Sequence, residues 1–537
     1  MNLLSCPSGL DRRRFLKLGA LTALSTLTDV PLGVRRALAE SGLGRNGSKL
    51  IFVFLRGGND SLNSLVPVGD EAYGPALRPV LHIPRDEAVN YSATGTCDFP
   101  ETGSAPKKGT YSYPFAIRAG NGFTALHPSL KFLAPIYNLG EVALLHRVGY
   151  PLQSRSHFDS QHFWETGSPN DDTTRDGVFY RAIMESGLAH TAPLTGVSFQ
   201  SSLPMCLRGT DAAMPNLYDT GRYNLLGIPN TAVGNTKADA ALRRGMQSPY
   251  PAKRNRDLLQ LQYQNLSDTL AIFSELDFSE TGNVYRDIAN TDGDTEPYHL
   301  FPTTNAKNGG ALLHDNNADK FVAPPASSDF FRRLKAAAIV LNKTDAIVAG
   351  TELHGFDTHN RQGGVTGSHA NLQRAIGWSI YALQRYFTQY ADRVSWKKVV
   401  VVVFSEFGRT SRENSGQGTD HAEAGAMIVA GGGIQGFGRS AHGTGLFGAS
   451  PADQANGVTV PWVTGGNGSL FGVSRRYLRR AIDYRSILGE VIGKHLGATP
   501  DQIQRILPGY ADPAENLRTG GICGIDGTKI LGEVGLL

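Results

Sequence analysis

One run of six apolar residues, VVVVVF at positions 399–404, restricts the fold more than any other feature of the chain. Five β-branched side chains in succession favour an extended backbone. The run shows no alternation of polar and apolar positions, so both of its faces must be covered. This pattern is typical of a central strand in a parallel sheet, and it predicts an α/β fold.

Other segments repeat the order of strand and helix around this run. Apolar strands are predicted at 50–55, 141–150 and 345–354, and helices at 126–140, 329–343, 369–393 and 477–497. Because strands alternate with helices, we expect a mostly parallel central sheet with helices on both faces. The expected domain covers 48–510, with irregular insertions near 85–122 and 200–330, and 511–537 forms a C-terminal tail.

Residues 1–39 have the composition of an export leader. The sequence RRRFLK contains Arg12 and Arg13 in the twin-arginine pattern, and a short apolar run leads to the small-residue cleavage signature at 37–39. The apolar run is too short to span a bilayer. We expect a twin-arginine signal peptide, recognition by the twin-arginine export machinery, and a periplasmic or extracellular mature chain without a transmembrane anchor. An ordinary basic helix is the alternative.

The charge of the chain argues against a nucleic-acid partner. The chain has 52 Lys and Arg and 48 Asp and Glu, and residues 1–39 hold six of the former and two of the latter. The remainder is therefore balanced, with 46 side chains of each sign. A protein that binds nucleic acid through phosphates presents an excess of basic side chains, so we expect no nucleic-acid partner.

Three cysteines follow the leader, namely Cys97, Cys206 and Cys523. Their spacing contains no CxxC pair of the kind that binds metal. At most one disulfide can form among them within the chain, and the sequence leaves open whether any two of them pair.

Acidic and imidazole side chains follow three of the predicted strands. The carboxyl ends of parallel strands meet at one edge of a sheet, where ligands bind. Carboxylate and imidazole donors suit zinc, manganese or iron. Each segment alone would also be explained by a turn or a helix cap, but the recurrence at three strand ends favours a metal site. The candidate ligands are Asp60, Asp357, His359, Glu406, Asp420 and His421.

The last three of these ligands belong to a single stretch, SEFGRTSRENSGQGTDH. Glu406 directly follows the valine run, and the glycine at 408 permits a sharp turn. The polar segment 411–418 is suited to loop out and return Asp420 and His421 to the same edge, before AMIVAGGG enters the next strand. The stretch is therefore predicted to form one edge of the site.

Two further residues have chemical interpretations. Arg409 is suited to a bidentate contact with an oxyanion such as phosphate or sulfate, and a salt bridge with Glu406 is the alternative. Ser156 begins the predicted helix in SRSHFDSQHFWETG. The helix dipole and free backbone N–H groups at that position favour an alkoxide or a bound anion, whereas a helix N-cap is its alternative role.

Five stretches together resemble a family of exported bacterial proteins that share a domain of unknown function and usually carry twin-arginine leaders. They are FVFLRGGNDSLNSLVPVGDEAY, LHPSLKFLAPIYNLGEVALLHRVGYPLQSRSHFDSQHFWETG, GFDTHN, VVVFSEFGRTSRENSGQGTDH and DYRSILGEVIGKHLG. They lie between Ile51 and about Gly497. The family looks like a distant branch of the alkaline phosphatase/sulfatase superfamily, which implies an alkaline-phosphatase-like fold.

The resemblance also implies roles for the candidate residues. Asp60 would be the ligand after the first strand, and Asp357 and His359 would form the second ligand group. Ser156 stands where the superfamily has a serine or threonine nucleophile at a helix start. His421 would take the place of a later histidine ligand.

The chain departs from the superfamily pattern at two ligand groups. The second group is D-x-H, where the superfamily commonly has D-x-x-x-H. The third is Glu406-Phe407, where the superfamily usually has an Asp-His pair, and Asp420-His421 is placed to compensate.

These observations predict an exported metal-dependent hydrolase that acts on a phosphate or sulfate ester or a similar small anionic substrate. The expected cofactor is a divalent metal, zinc first, with manganese, iron or calcium as alternatives. The metal would lower the pKa of the attacking Ser156 and stabilise developing negative charge, and Arg409 would hold the oxyanion. The alternative is a secreted binding or surface-organising protein that retains the fold without turnover.

The leader interpretation makes one prediction. Replacing Arg12 and Arg13 by lysine should leave uncleaved precursor in the cytoplasm, because the twin-arginine pattern is read by its own receptor. Cell fractionation with immunoblotting measures this outcome. Normal export and cleavage of the double variant near Glu40 would contradict the interpretation.

Overall fold

The computed structural model describes residues 42–70, 73–85, 115–120, 122–190, 192–212, 214–219, 268–269, 271–278, 285–286, 299–302, 325–448 and 477–537. The predicted signal peptide, Cys97 and most of the two predicted insertions lie outside these residues. The predicted valine-rich strand and all of the candidate site residues lie within them.

The described part of the chain contains thirteen strands, and the valine run forms one of them. The strands are β1 (Lys49–Arg56), β2 (Leu65–Val66), β3 (Ile117–Arg118), β4 (Ala125–Leu126), β5 (Val142–Gly149), β6 (Gly196–Ser198), β7 (Val348–His354), β8 (Val399–Ser405), β9 (Gly425–Ala430), β10 (Leu446–Phe447), β11 (Ile482–Asp483), β12 (Gly521–Ile522) and β13 (Lys529–Ile530).

Helices connect these strands. The α-helices are α1 (Ser61–Ser64), α2 (Leu133–Asn138), α3 (His157–Thr166), α4 (Val178–Ser186), α5 (Pro325–Lys343), α6 (Ser368–Gln389), α7 (Tyr484–Glu490) and α8 (Pro500–Ile506). Short 3₁₀ turns lie at Pro128–Leu130, Leu188–His190, Met205–Leu207 and Trp396–Lys398, and a π-helical turn covers Val491–His495.

Eight strands form the central sheet in the order β10-β5-β9-β8-β1-β7-β6, with β11 also paired to β5. β8, β1, β7 and β6 are parallel neighbours, and β10 and β11 are parallel to β5. Among these eight strands only β9 runs against its neighbours, β8 and β5. The prediction of an α/β fold with a mostly parallel central sheet is confirmed.

Both faces of the sheet are covered, as the unbroken apolar pattern of β8 predicts. Val401 and Val403 belong to one core, which includes α5 and α6, and Val400 and Val402 belong to a second core with α4 and α7. Every residue of β8 is buried. A strand held from both faces and by two neighbours fixes the position of the chain that leaves it.

One predicted helix differs from the structure. Residues 477–497 do not form a single helix, because Ile482–Asp483 pairs with β5 as β11. The side chain of Asp483 then accepts a hydrogen bond from the N–H of Arg485 and caps α7. Pairing with the sheet therefore prevails over the helical periodicity of the first five residues.

The segment 511–537 packs against the domain. Ile530 and Leu536 are fully buried in the second core, and the Glu490 carboxylate accepts hydrogen bonds from the N–H groups of Val534, Gly535 and Leu537.

Cys206 and Cys523 are buried free cysteines. No helix in the described ranges has both the length and the apolar character needed to cross a bilayer.

The double coverage of the sheet predicts a large cost for truncating its inner side chains. Leu50 in β1 is 0% exposed, so Leu50→Ala should lower the free energy of unfolding by about 2–5 kcal/mol through lost burial and a residual cavity. Leu139 is 52% exposed, and Leu139→Ala should change stability by less than about 0.5 kcal/mol. Urea unfolding measures both. Equal effects would contradict the placement of β1 at the centre of the sheet.

Candidate metal centre

The candidate residues lie at one edge of the sheet because of the strand directions. The chain leaves β1, β5, β7 and β8 at their shared carboxyl edge. β9 runs the opposite way, so the residues that precede it start at this same edge. The antiparallel direction of β9 therefore brings Asp420 and His421 beside the residues that follow the parallel strands.

Backbone hydrogen bonds close the loop between β8 and β9. Thr410 N–H donates to the Asp420 carbonyl at 2.9 Å, and Ala422 N–H donates to the Gly408 carbonyl at 3.0 Å. Arg409 and His421 lie opposite one another in an isolated antiparallel bridge. The segment 411–418 thus loops out and returns to the edge.

Two glycines after β1 allow the neighbouring loops to approach closely. Gly57 and Gly58 have φ values of 120° and 78°. A Cβ at Gly57 would lie 2.4 Å from the backbone nitrogen of Asp357, and one at Gly58 would lie 2.5 Å from the ring of Phe407. The sequence RGGND therefore has glycine where both the conformation and the contact require it.

Asp357 is the centre of the site. Its Oδ1 lies 3.0 Å from His359 Nε2, 3.1 Å from His421 Nε2 and 2.5 Å from Arg409 Nη2. Its Oδ2 lies 3.6 Å from His157 Nε2. Partial burial opposes ionisation of this carboxyl, but the pKa of Asp357 is lowered to about 2, chiefly by the hydrogen bond and the charge of Arg409.

Each of the three histidines is held through Nδ1 by a different acceptor. His157 Nδ1 lies 2.8 Å from the carboxylate of Glu406, and His359 Nδ1 lies 3.2 Å from that of Asp420. His421 Nδ1 lies 3.0 Å from the backbone carbonyl of Arg155. Acceptors at Nδ1 place the proton there in a neutral ring, which leaves the Nε2 lone pair free to bind a cation.

The resulting Nε2 atoms lie close enough together to need either a proton or a cation between them. His359 Nε2 and His421 Nε2 are 3.0 Å apart, and both face the same ionised oxygen of Asp357. Two lone pairs and a carboxylate oxygen at these distances repel one another. Either a proton on one of the rings or a metal ion can compensate, and the arrangement is a candidate cation site.

A metal fits the donor atoms on independent grounds. One donor atom each of His157, Asp357 and His421 can be chosen so that all three atoms lie within 4.8 Å of one another. His157 Nε2 is buried and has no hydrogen-bond partner. Ligands on one zinc at about 2.0–2.1 Å are themselves separated by about 3–3.5 Å, which resembles the observed spacing. His359 adjoins this group, and its Nε2 also lies 3.5 Å from Arg409 Nη1.

The donor groups face solvent in part. The side chains of Asp357 and His359 are 48% and 38% exposed, and those of His157 and His421 are 26% and 25% exposed. Metal sites with an open position for water or substrate are the catalytic kind, whereas structural sites are closed by protein ligands. The exposure therefore favours a site that an external ligand can reach.

The sequence predicts Glu406 and Asp420 as metal ligands. In the structure they lie behind the histidines and contact histidine Nδ1 atoms. Glu406 is buried, and one of its carboxylate oxygens accepts from His157, from Gln161 and from the N–H of Gly57. Burial favours the neutral acid, but these hydrogen bonds outweigh it and lower the pKa of Glu406. Carboxylates in this position fix the tautomer and orientation of a metal-binding histidine.

Arg409 does not have the predicted oxyanion-binding role, because its guanidinium is fully buried and its donors are already used. It is 0% exposed. Besides Asp357, it donates to the backbone carbonyls of Gly57, Gly58, Phe356 and Thr419. Arg409 therefore joins three loops and orients Asp357, and its buried guanidinium is directed at protein acceptors.

Asp60 also lies apart from the predicted ligand set. Its carboxylate is fully buried and forms a two-pronged ion pair with Arg78, at 2.6 and 3.0 Å. Gln362 donates a further hydrogen bond to it at 2.6 Å. Burial opposes ionisation of Asp60, but the charge of Arg78 outweighs burial and lowers its pKa. Both oxygens are used by protein donors, so the structure assigns Asp60 to the support of the site.

Sequence reasoning did not select His157 as a ligand, although it considered the segment around Ser156. Ser156 N-caps α3, and its hydroxyl accepts from the N–H of Asp159 at 3.4 Å. His157 is the first residue of that helix, at the carboxyl edge reached by β5. The sequence signal that could have identified His157 as a ligand is its place after β5, a fourth strand that ends at the same edge.

The fold and the site define an α/β protein with a candidate metal centre at the carboxyl edge of its sheet. A family model described as "Protein of unknown function (DUF1501)" matches residues 304–460. The match supports similarity to a domain family of unknown function, and its range contains Asp357, His359, Glu406, Arg409 and His421. No curated protein and no solved structure matches the chain.

The Asp60–Arg78 pair yields a stability prediction. Asp60→Asn should lower the free energy of unfolding at neutral pH by about 3–5 kcal/mol, because it leaves the buried Arg78 charge uncompensated. The control is Asp345→Asn, since Asp345 is 74% exposed and lies 3.5 Å from Arg393. This control should cost less than about 1 kcal/mol. Chemical unfolding measures both variants.

The same pair predicts the direction of a pH effect. The pKa of Asp60 is lower in the folded chain than in the unfolded chain, so its stabilisation is complete above the ordinary aspartate pKa and is lost as pH falls through the lowered value. The wild type should therefore lose more stability on acidification than Asp60→Asn. An Asp60→Asn variant that folds with wild-type stability but loses metal would contradict the supporting role.

Proposed function

We propose that this chain is a metal-dependent hydrolase of a phosphate or sulfate ester. The observation that carries the proposal is the convergence of three histidine Nε2 atoms on one ionised aspartate, with every Nδ1 held by an acceptor. His157, Asp357 and His421 would hold the metal, and His359 adjoins them. Imidazole and carboxylate donors suit zinc first, with manganese and iron as alternatives; calcium prefers an all-oxygen set and is disfavoured by three imidazoles.

When bound, the metal would act as a Lewis acid that lowers the pKa of a nucleophile and stabilises developing negative charge. The residues of the chain supply position and electrostatics. Glu406, Asp420 and the Arg155 carbonyl keep the Nε2 lone pairs directed at one point. The Arg409 guanidinium keeps Asp357 ionised and in place.

Ser156 remains the proposed nucleophile. It directly precedes His157, the first residue of α3. The Ser156 hydroxyl accepts the N–H of Asp159, and the N-terminal end of α3 favours negative charge on it. An alternative source of the nucleophile is a water molecule at the exposed side of the metal centre.

The sequence resemblance supports the substrate class. Enzymes of the alkaline phosphatase/sulfatase superfamily place metal ligands and a nucleophile at strand ends of an α/β sheet, and this chain has the same arrangement of candidates. An alkaline-phosphatase-like fold, export by the twin-arginine pathway and a periplasmic or extracellular location belong to the same proposal.

A second candidate function is a secreted binding or surface-organising protein that retains the site without turnover. The burial of Arg409 and its hydrogen bonds to protein acceptors favour this second function. Hydrolases of phosphate and sulfate esters need cationic donors for the substrate oxyanion. Within the described ranges, no other Arg or Lys side chain forms an ion pair with Asp357. The metal would then be the main source of positive charge at the position that Asp357 and the histidines surround.

Metal content and ester cleavage test the proposal together. The wild type, purified from the exported fraction, should contain a stoichiometric divalent metal and should cleave p-nitrophenyl phosphate or p-nitrophenyl sulfate. His157→Ala and His421→Ala should lose most of the metal, because each removes a ligand. Glu406→Gln should weaken metal affinity by about 10- to 100-fold, because it affects only the orientation of His157. Elemental analysis and competition with a chelating dye measure these effects.

His354→Ala is the matched control, since His354 ends β7 at the same edge and is 60% exposed. It should retain full metal content. Stoichiometric metal without cleavage of either ester would support the binding protein instead of the hydrolase. Full metal content in folded His157→Ala and His421→Ala would show that the histidine group is not a metal centre.

A further inference from the structure

A cavity of about 470 Å³ lies beside the metal centre, and we call it the side cavity. Its volume is in the range of small-molecule binding sites. The residues of its wall that matter here are Gln153, Glu423, Tyr477, Arg479, Arg480 and Asp526. None of them belongs to the metal centre described above.

Two residues connect the side cavity to the metal centre. Gln153 lines the cavity, and its amide donates to the backbone carbonyl of Glu406, whose carboxylate holds His157. The carbonyl of Arg155 accepts from His421, while its guanidinium lies 4.7 Å from the ring centre of Tyr477. A ligand in the side cavity would therefore lie next to whatever the metal centre binds.

The cavity wall contains polar groups without partners. The Gln153 Oε1 acceptor and the Arg480 Nε donor are buried and make no hydrogen bond. Glu423 is partly buried, and its carboxylate forms no hydrogen bond or ion pair with another described residue. Both of these atoms are enclosed by protein, whereas the Glu423 carboxylate and the exposed Arg479 guanidinium can be reached from the cavity. An accessible acceptor and an accessible donor in one wall indicate a ligand that both donates and accepts.

The charges around the cavity nearly cancel. Arg480 is paired with Asp483 at 2.6 Å and with Asp526 at 3.1 Å. Arg155 and Arg479 offset the free carboxylate of Glu423. An anion would meet Glu423, and an amine would meet the guanidinium groups of Arg479 and Arg480, so the surroundings favour a neutral ligand.

The remaining features agree with a hydroxylated ring. Tyr477 presents an aromatic side chain to the cavity, and Leu152, which is 66% exposed, adds apolar surface at its wall. Leu152 has a φ of 54°, a conformation that side-chain-bearing residues rarely adopt and that is often found at functional sites.

We propose that the side cavity binds a neutral polyhydroxy compound, a sugar or a cyclic polyol, as the alcohol part of the ester. Its hydroxyl groups would donate to the Glu423 carboxylate and accept from the Arg479 guanidinium. The assignment as the alcohol part of an ester rests on the proposed hydrolase function. The binding of the polyol itself does not.

Binding of free ligands tests this assignment separately from catalysis. Glucose, galactose and myo-inositol, each added singly to the full chain, should give saturable binding by ligand-observed NMR for at least one of the three. Glu423→Met keeps a similar side-chain volume and removes the acceptor, and it should weaken that binding by about tenfold or more. Tyr477→Ala should also weaken it.

Two controls separate the cavity from the metal centre. Glu275→Gln, at an exposed position, should bind as the wild type does. Glu423→Met should retain wild-type metal content, whereas His421→Ala should lose metal. The proposal is overturned if none of the three compounds binds, if Glu423→Met and Tyr477→Ala bind as the wild type does, or if ethanolamine binds and the polyols do not. Polyol binding that depends on Glu423 without ester cleavage would support the side cavity and contradict the hydrolase.

Discussion

The buried guanidinium of Arg409 is the interaction on which the site depends. It is fully enclosed, and it donates to carbonyls of the loop after β1, the loop after β7 and the loop before β9. An enclosed guanidinium is tolerated only when its donors are satisfied, so these carbonyls must stay in place together. The same group holds Asp357, and the geometry of the candidate metal centre follows from that contact. Arg409 acts by positioning Asp357, although its sequence context suggested direct contact with an oxyanion.

Two layers of support surround the donor atoms. Glu406, Asp420 and the Arg155 carbonyl hold the three histidines by Nδ1, and below them the Asp60–Arg78 pair is fully buried with Gln362 and Asn63 bonded to it. Of the acidic groups at this edge, Asp357 faces the position of the ion, and Glu406, Asp420 and Asp60 bind other side chains. Metal sites with such second-layer partners are rigid, and rigidity at a sheet edge suits a reaction that needs precise placement.

Much of the fold and part of the site were accessible from sequence. The unbroken apolar run of β8 required burial on both faces, and strand–helix alternation required a largely parallel sheet. Polar residues after the strands then had to gather at one edge, which is where Asp357, His359 and His421 lie. Sequence could not separate ligands from supporting groups, because Asp, Glu and His at a strand end look alike whether the side chain points at an ion or at another residue. Asp60 shows this most clearly, since its partner Arg78 is 18 positions away in a segment without a regular pattern.

The sequence by itself determined the class of fold. It also determined the sheet edge at which acidic and imidazole side chains gather, and which residue types are present there. Those properties depend on local periodicity and on the direction of strands, which a single chain segment encodes. Tertiary structure alone decided that β9 runs antiparallel and so returns His421 to the edge. It alone also decided that His157 lies beside Asp357, and that the guanidinium of Arg409 donates to backbone carbonyls. It also decided that Gln153, Glu423 and Arg480, from three separate segments, line one cavity. These outcomes depend on contacts between residues far apart in the chain, and the physical reason is that hydrogen-bond satisfaction on burial is settled only when all of those segments have packed together.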